Sequence, residues 1–154
     1  MALHPYDSRQ AANVFITMAQ RDGRQMSIMR VLKLLYFAHG WCLALYHRPL
    51  INDHVEAWKF GPVIPMVYFA FRPQGIYGLN PMELVHEREM CHDTSRLLRW
   101  IDDKYGVLTD RQLSLLTHVK GGPWHQVYRP NVRNIVIPND LITSYFLKKS
   151  KGVE

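Results

Sequence analysis

Eight histidines, two cysteines and two close acidic pairs are the residues of this 154-residue chain whose types could bind a metal or move a proton. Spacing argues against both uses. His86 and His92 flank Cys91, but the chain has no HExxH, no CxxC and no histidines at i and i+4, the spacings that set ligands on one side of an ion. No metal and no cofactor is expected. His39 lies in an apolar run and reads as a hydrogen-bonded core histidine, while His47 and His54 flank a turn and read as exposed. The pairs Glu87/Glu89 and Asp102/Asp103 have no apolar surroundings to split their pKa values, so they read as solvated faces and not as an acid and a base. Phosphate-binding glycine loops and a GxSxG elbow are missing as well. No catalytic residue is assigned, and the chain reads as a binding protein and not an enzyme.

A nucleic-acid module is the rival. Residues 109–119, a Gly-Gly turn and residues 123–128 have the outline of a helix-turn-helix, but the second helix would be short. It would offer His125, Gln126 and Arg129 without a basic run. The net charge of +6 is spread over both flanks, with an acidic middle at residues 81–110. Its one cluster, Lys148, Lys149 and Lys151, falls in a terminal tail, so nucleic acid is not the expected partner.

The elements that must position these residues follow from periodicity. Residues 8–21 predict a helix behind a Ser8 cap, with Arg9, Gln10, Asn13, Gln20 and Arg21 on its polar face. Ser27 caps a second helix running to about residue 46 that is apolar nearly all round, the mark of a central helix. Its most apolar part, residues 34–46, is shorter than a membrane span requires, and no membrane association is expected. Residues 50–58 read as extended, Phe60-Gly61-Pro62 as a turn, and residues 66–71 as a short helix begun by Pro65. A loop over 72–81 leads to a polar, exposed helix over 82–89. A firmer helix covers 94–105, and Thr109 with Gln112 forms a capping box for the next. Residues 123–128 make a short turn, 135–137 are β-prone, and Pro138-Asn139-Asp140 opens a last helix. The expected fold is mainly α: a compact bundle of about six helices around a buried central helix, with a small β-hairpin or short strands.

With 47% hydrophobic residues the chain can fill one core, and residues 1–154 read as a single domain with its core at about 8–147 and a basic tail at 148–154. Cys42 and Cys91 show no disulfide spacing, and the N-terminus shows no secretory pattern, so the cytoplasm is the expected compartment.

Three stretches carry a further signal. Residues 34–68 read LLYFAHGWCLALYHRPLINDHVEAWKFGPVIPMVY, residues 115–124 read LLTHVKGGPW, and residues 137–146 close on Tyr-Phe. In order and spacing they resemble the Panacea domain, the helical domain of SocA-like and phage-associated GepA-like proteins. Residues 72–95 match least. The resemblance implies an antitoxin of a bacterial or phage toxin-antitoxin pair, whose partner is a cognate protein toxin encoded by an adjacent gene. Some such proteins are thought to deliver the toxin to a protease, so a proteolytic adaptor and a DNA-binding autoregulator are the alternatives. Of the motif residues, His39, Trp58, Gly61, Pro62, Pro65, Thr117, His118, Pro123 and Trp124 read as scaffold. Gly61, Pro62 and Pro65 would fix a turn, Trp58 and Trp124 would pack as anchors, and Thr117 or His118 would bond the Gly-Gly turn. Exposed aromatics and charges, Tyr68, Arg72, Tyr77 and Arg99, are the candidate partner contacts.

Overall fold

The computed structural model describes residues 5–152; residues 1–4 of the N-terminal stretch and 153–154 of the basic tail lie outside the described residues. Within it, seven α-helices, one short 3-10 helix and a three-stranded sheet form a mainly α fold with a minor β part.

Helix α1 (Ser8–Arg21) is capped by Asp7, whose side chain accepts from the Arg9 amide, and not by Ser8 as expected. Ser8 is drawn off instead: its amide and hydroxyl both donate to Asp53. Gln10 and Asn13, expected on a solvated face, are buried. The Asn13 amide brackets Met82, giving to its carbonyl and receiving from its N–H at 2.8 Å each, and Gln10 brackets Arg88 in the same way. These side-chain amides satisfy backbone groups across the 82–88 segment, which therefore runs as coil and not as the expected helix.

Helix α2 (Ile28–Tyr46) starts at the expected Ser27 cap and stops at His47, whose φ of 57° is left-handed. It spans the expected 19 residues and is long and apolar enough to cross a membrane on length and composition alone, although its most apolar stretch, residues 34–46, is shorter. Its residues from Val31 to Ala44 are all buried in the domain, which makes it the core helix. α1, α3 (Pro65–Phe71), α4 (His92–Tyr105), α5 (Asp110–Thr117) and α7 (Asn139–Ser150) all pack on it. α5 opens with the expected capping box, and Pro65 stands in the first turn of α3. Lys148 and Lys149, expected in a tail, form the last turn of α7.

Strands β1 (Val55–Trp58) and β2 (Gly61–Val63) form an antiparallel hairpin that pairs Trp58 with Gly61. Gly61-Pro62, expected as the turn, thus opens β2, and the turn is the two residues Lys59 and Phe60. β3 (Val136–Ile137) pairs on the other side of β1, giving the order β2-β1-β3. Pro62 lacks an N–H for a ladder, and an edge strand is where a sheet tolerates that.

α7 closes the core with Phe146. Its ring lies edge-on to Tyr36, Phe37 and Trp41 at centroid distances of 5.7, 6.3 and 5.4 Å. Phe37 stacks on Tyr105 at 4.2 Å, and the Trp41 indole donates to the Tyr105 hydroxyl at 2.8 Å. Gly40 makes room for this ring: a Cβ there would stand 2.2 Å from Phe146 Cε2. Gly40→Ala would add about 1 kcal/mol of helix propensity. The overlap with a fully packed ring outweighs it, so we expect a net loss of about 2 kcal/mol and a Tm lowered by about 5 °C. Thermal melts check this, and a cycle with Phe146→Leu should show the two substitutions costing less together than their sum.

Candidate functional site

Of the motif residues, Trp58, Gly61, Pro62, Thr117, His118, Pro123 and Trp124 converge on one corner where the hairpin meets α2, α5 and α6 (Pro123–Val127), and Pro65 stands at the start of α3. Gly61 has φ 116°, which favours glycine, and a Cβ there would stand 2.8 Å from Thr117 Oγ1 and 2.9 Å from Lys33 Nζ. Lys33, fully buried on α2, donates to the Pro62 carbonyl at 3.1 Å. Pro123 opens α6, and the Trp124 indole donates to the Trp58 carbonyl at 2.7 Å. Trp124 stacks on Tyr128 at 4.6 Å and lies 4.1 Å from the His118 ring. The Trp58 indole in turn donates to Glu56 Oε1 at 2.9 Å, and His54 Nε2 holds the other oxygen of that buried carboxylate at 2.6 Å.

Thr117 and His118 do not bond the Gly-Gly turn. Standing at the C-terminal end of α5, they reach back to the Ser114 carbonyl, both at 2.6 Å, so His118 carries its proton on Nδ1. The turn is held by α6: His125 Nδ1 accepts from the Gly121 amide at 3.2 Å and Gln126 donates to the Gly121 carbonyl at 2.8 Å. That turns two of the three would-be base readers of the helix-turn-helix outline back onto their own loop.

His39 lies apart from this corner, in the core. Its Nδ1 accepts from the Leu50 amide at 3.3 Å, so Nε2 carries the proton and donates to Asn139 Oδ1 at 2.9 Å. Burial depresses its pKa, against the hydrogen bond to Asn139 that raises it. It ties α2, the segment after it and the start of α7 together. Cys42 and Cys91 are free thiols, and among the described residues no three His, Cys, Asp or Glu side chains stand together as metal ligands.

Lys33 was not singled out from the sequence. The signal available was its position as the one charged residue between Arg30 and Arg48. Burial pushes its ammonium down to about 7.

Outside this corner the chain turns apolar side chains to solvent. Phe60, Met66, Phe69 and Val132 are 61, 44, 57 and 53% exposed. Trp58, Phe60, Phe69, Tyr128 and Val132 line a half-open groove of about 840 Å³ between the hairpin and the loop at 130–134. Of the candidate contacts, Tyr68 packs on Trp58 at 5.0 Å and the Arg72 guanidinium lies 5.8 Å from the Tyr68 ring centre, at the border of this face. Tyr77 is exposed on the loop before Leu79, and Arg99 is exposed on α4, so the four are spread over different elements.

Residues 31–125 match the family described as antitoxin SocA-like, Panacea domain. The chain belongs to that family. The match takes in α2 from Val31 on, the hairpin, α3, α4, α5 and the start of α6, and with them every motif residue from His39 to Trp124. The chain is also similar to antitoxin SocA of Caulobacter vibrioides (strain NA1000 / CB15N), 34% identical over 128 residues that cover 77% of this chain and 68% of that protein. No solved structure matches the chain. Membership in the SocA-like family supports an antitoxin role, a toxin partner in general and a non-enzymatic mode of action.

Lys33 gives the family corner a pH signature. Unfolded, its amine titrates near the ordinary lysine value; folded, at about 7. The unfolded chain therefore binds the extra proton between these values, and stability rises with pH from about 7 to about 10.5, by up to ~5 kcal/mol, and is lost as pH falls. In denaturant titrations Lys33→Met should be more stable than the wild type at pH 6, and the difference should shrink steadily towards pH 10.

Proposed function

We propose that this SocA-like chain neutralises a protein toxin by binding it directly, without catalysis, and that the toxin is the product of the adjacent gene in the same cytoplasm. The observation that carries the reading is the outward set of apolar side chains, Phe60, Met66, Phe69 and Val132, mounted on a corner fixed by buried hydrogen bonds. A rigid apolar face loses little conformational freedom when a partner covers it, which favours tight association. Tyr68 and Arg72 border the face and are proposed as contacts, with Tyr77 and Arg99 as further ones.

Delivery of the toxin to a protease is the second reading, and one observation favours it. Leu45 and Tyr46 at the end of α2, and Trp100 on the neighbouring α4, are further apolar side chains turned to solvent. Leu45 stands ~18 Å along α2 from Lys33, so both faces would be open at once. An unchanged toxin half-life in cells lacking this chain removes that reading.

Cells expressing the neighbouring gene should stop growing, and co-expression of this chain should restore growth with the two proteins co-purifying. Rescue without a complex, or a harmless neighbour, defeats direct neutralisation. Replacing Tyr68, Arg72, Tyr77 and Arg99 together by Ala should weaken the rescue; full rescue by that variant takes the four out of the interface.

A further inference from the structure

We propose that the groove between the hairpin and the 130–134 loop seats an apolar segment of the toxin flanked by acidic side chains. This rests on the antitoxin reading and adds where the toxin is held and by what chemistry.

Shape comes first. About 840 Å³, open on one side, takes several side chains of a chain segment. Its walls are set before anything binds. The Trp58 ring is held by Glu56, the Trp58 carbonyl by Trp124, and Tyr128 by its stack on Trp124. The opposite wall turns through Asn131 and Asn134 at φ 67° and 60°, left-handed positions that asparagine tolerates. Its end is tied to the sheet by the Ala57 amide on the Ile135 carbonyl at 2.8 Å.

Charge then selects the occupant. The groove is lined by Lys59 and Arg133 and by no Asp or Glu, and neither cation is in an ion pair among the described residues. A partner that covered them without carboxylates would leave two charges stripped of water and unmatched, a large penalty. A partner with acidic residues beside an apolar stretch satisfies both. A second copy of this chain seated symmetrically would instead set these cations against their equals.

The test titrates the purified toxin of the adjacent gene into the full chain at low and high salt. Phe60→Ser with Phe69→Ser should weaken binding about 30-fold or more at both salts, as expected for central apolar anchors. Lys59→Glu with Arg133→Glu should weaken it about tenfold or more at low salt and flatten the salt dependence. Lys148→Glu with Lys149→Glu, on α7, should leave it unchanged. All four groove positions are solvent-facing, and Phe69 gives up only edge contacts to Trp58 and Tyr68, so thermal melts should show both variants folded, with a small loss at most for the Phe69 variant. Hydrogen exchange on the wild-type complex gives an independent readout, with protection expected at 57–60 and 130–134.

Wild-type affinity in both groove variants, or protection confined to other segments, overturns the groove assignment while the antitoxin reading stands. Wild-type chain that binds no toxin removes both. If the groove variants instead break up a dimer of this chain, or abolish binding of a single-stranded oligonucleotide while the toxin still binds, the occupant is not the one proposed.

Discussion

From Val31 to Ala44, helix α2 has no side left for water, and that constraint organises the molecule. Each surrounding element has a stretch of it to cover: α7 takes the Gly40 level with Phe146, α4 the Trp41 level through Tyr105, and β2 the Lys33 level through Pro62. A helix with apolar residues all round cannot choose between neighbours by hydrophobicity, because every face is alike in that respect. The choices are made by its exceptions. A glycine admits a ring, a histidine takes one amide and gives to one asparagine, and a lysine finds one carbonyl. These three polar or missing side chains fix the order in which the other elements sit.

How much of this could be read beforehand follows from the distance over which each feature is decided. The Ser27 cap, the Thr109/Gln112 box and the place of Pro65 depend on residues three or four apart, and all stand where the sequence puts them. The Ser8 cap fails because its hydroxyl is claimed by Asp53, 45 residues on. The 82–88 segment fails as a helix for a related reason: α1 offers it amide side chains that replace its internal hydrogen bonds, and nothing in the local pattern announces that offer. Gly61-Pro62 carries every mark of a turn. Its use as a strand edge depends on Lys33 and Thr117, which arrive from two other elements.

The candidate site divides along the same line. Trp58, Gly61, Pro62, Thr117, His118, Pro123 and Trp124 could be picked out as a set, and they do meet. Their partners, Lys33 and Glu56, could not, since a lone lysine in an apolar run and a glutamate in a strand look unremarkable until the carbonyl and the indole they hold are in place. The exposed apolar residues were legible only as scattered side chains. Hairpin, α3 and loop must come together before Phe60, Phe69 and Val132 belong to one surface.

At the corner, several of the accepting groups are main-chain carbonyls, those of Pro62, Trp58 and Ser114, and the deepest donor lies on α2. The hairpin tip, Lys59 and Phe60, contributes no side chain to that network. Its residue identities are therefore decoupled from folding: the tip can be rewritten while the frame beneath it is unaltered. A domain built this way can drift from one binding specificity to another through neutral intermediates, with the surface and the core answering to separate selective pressures.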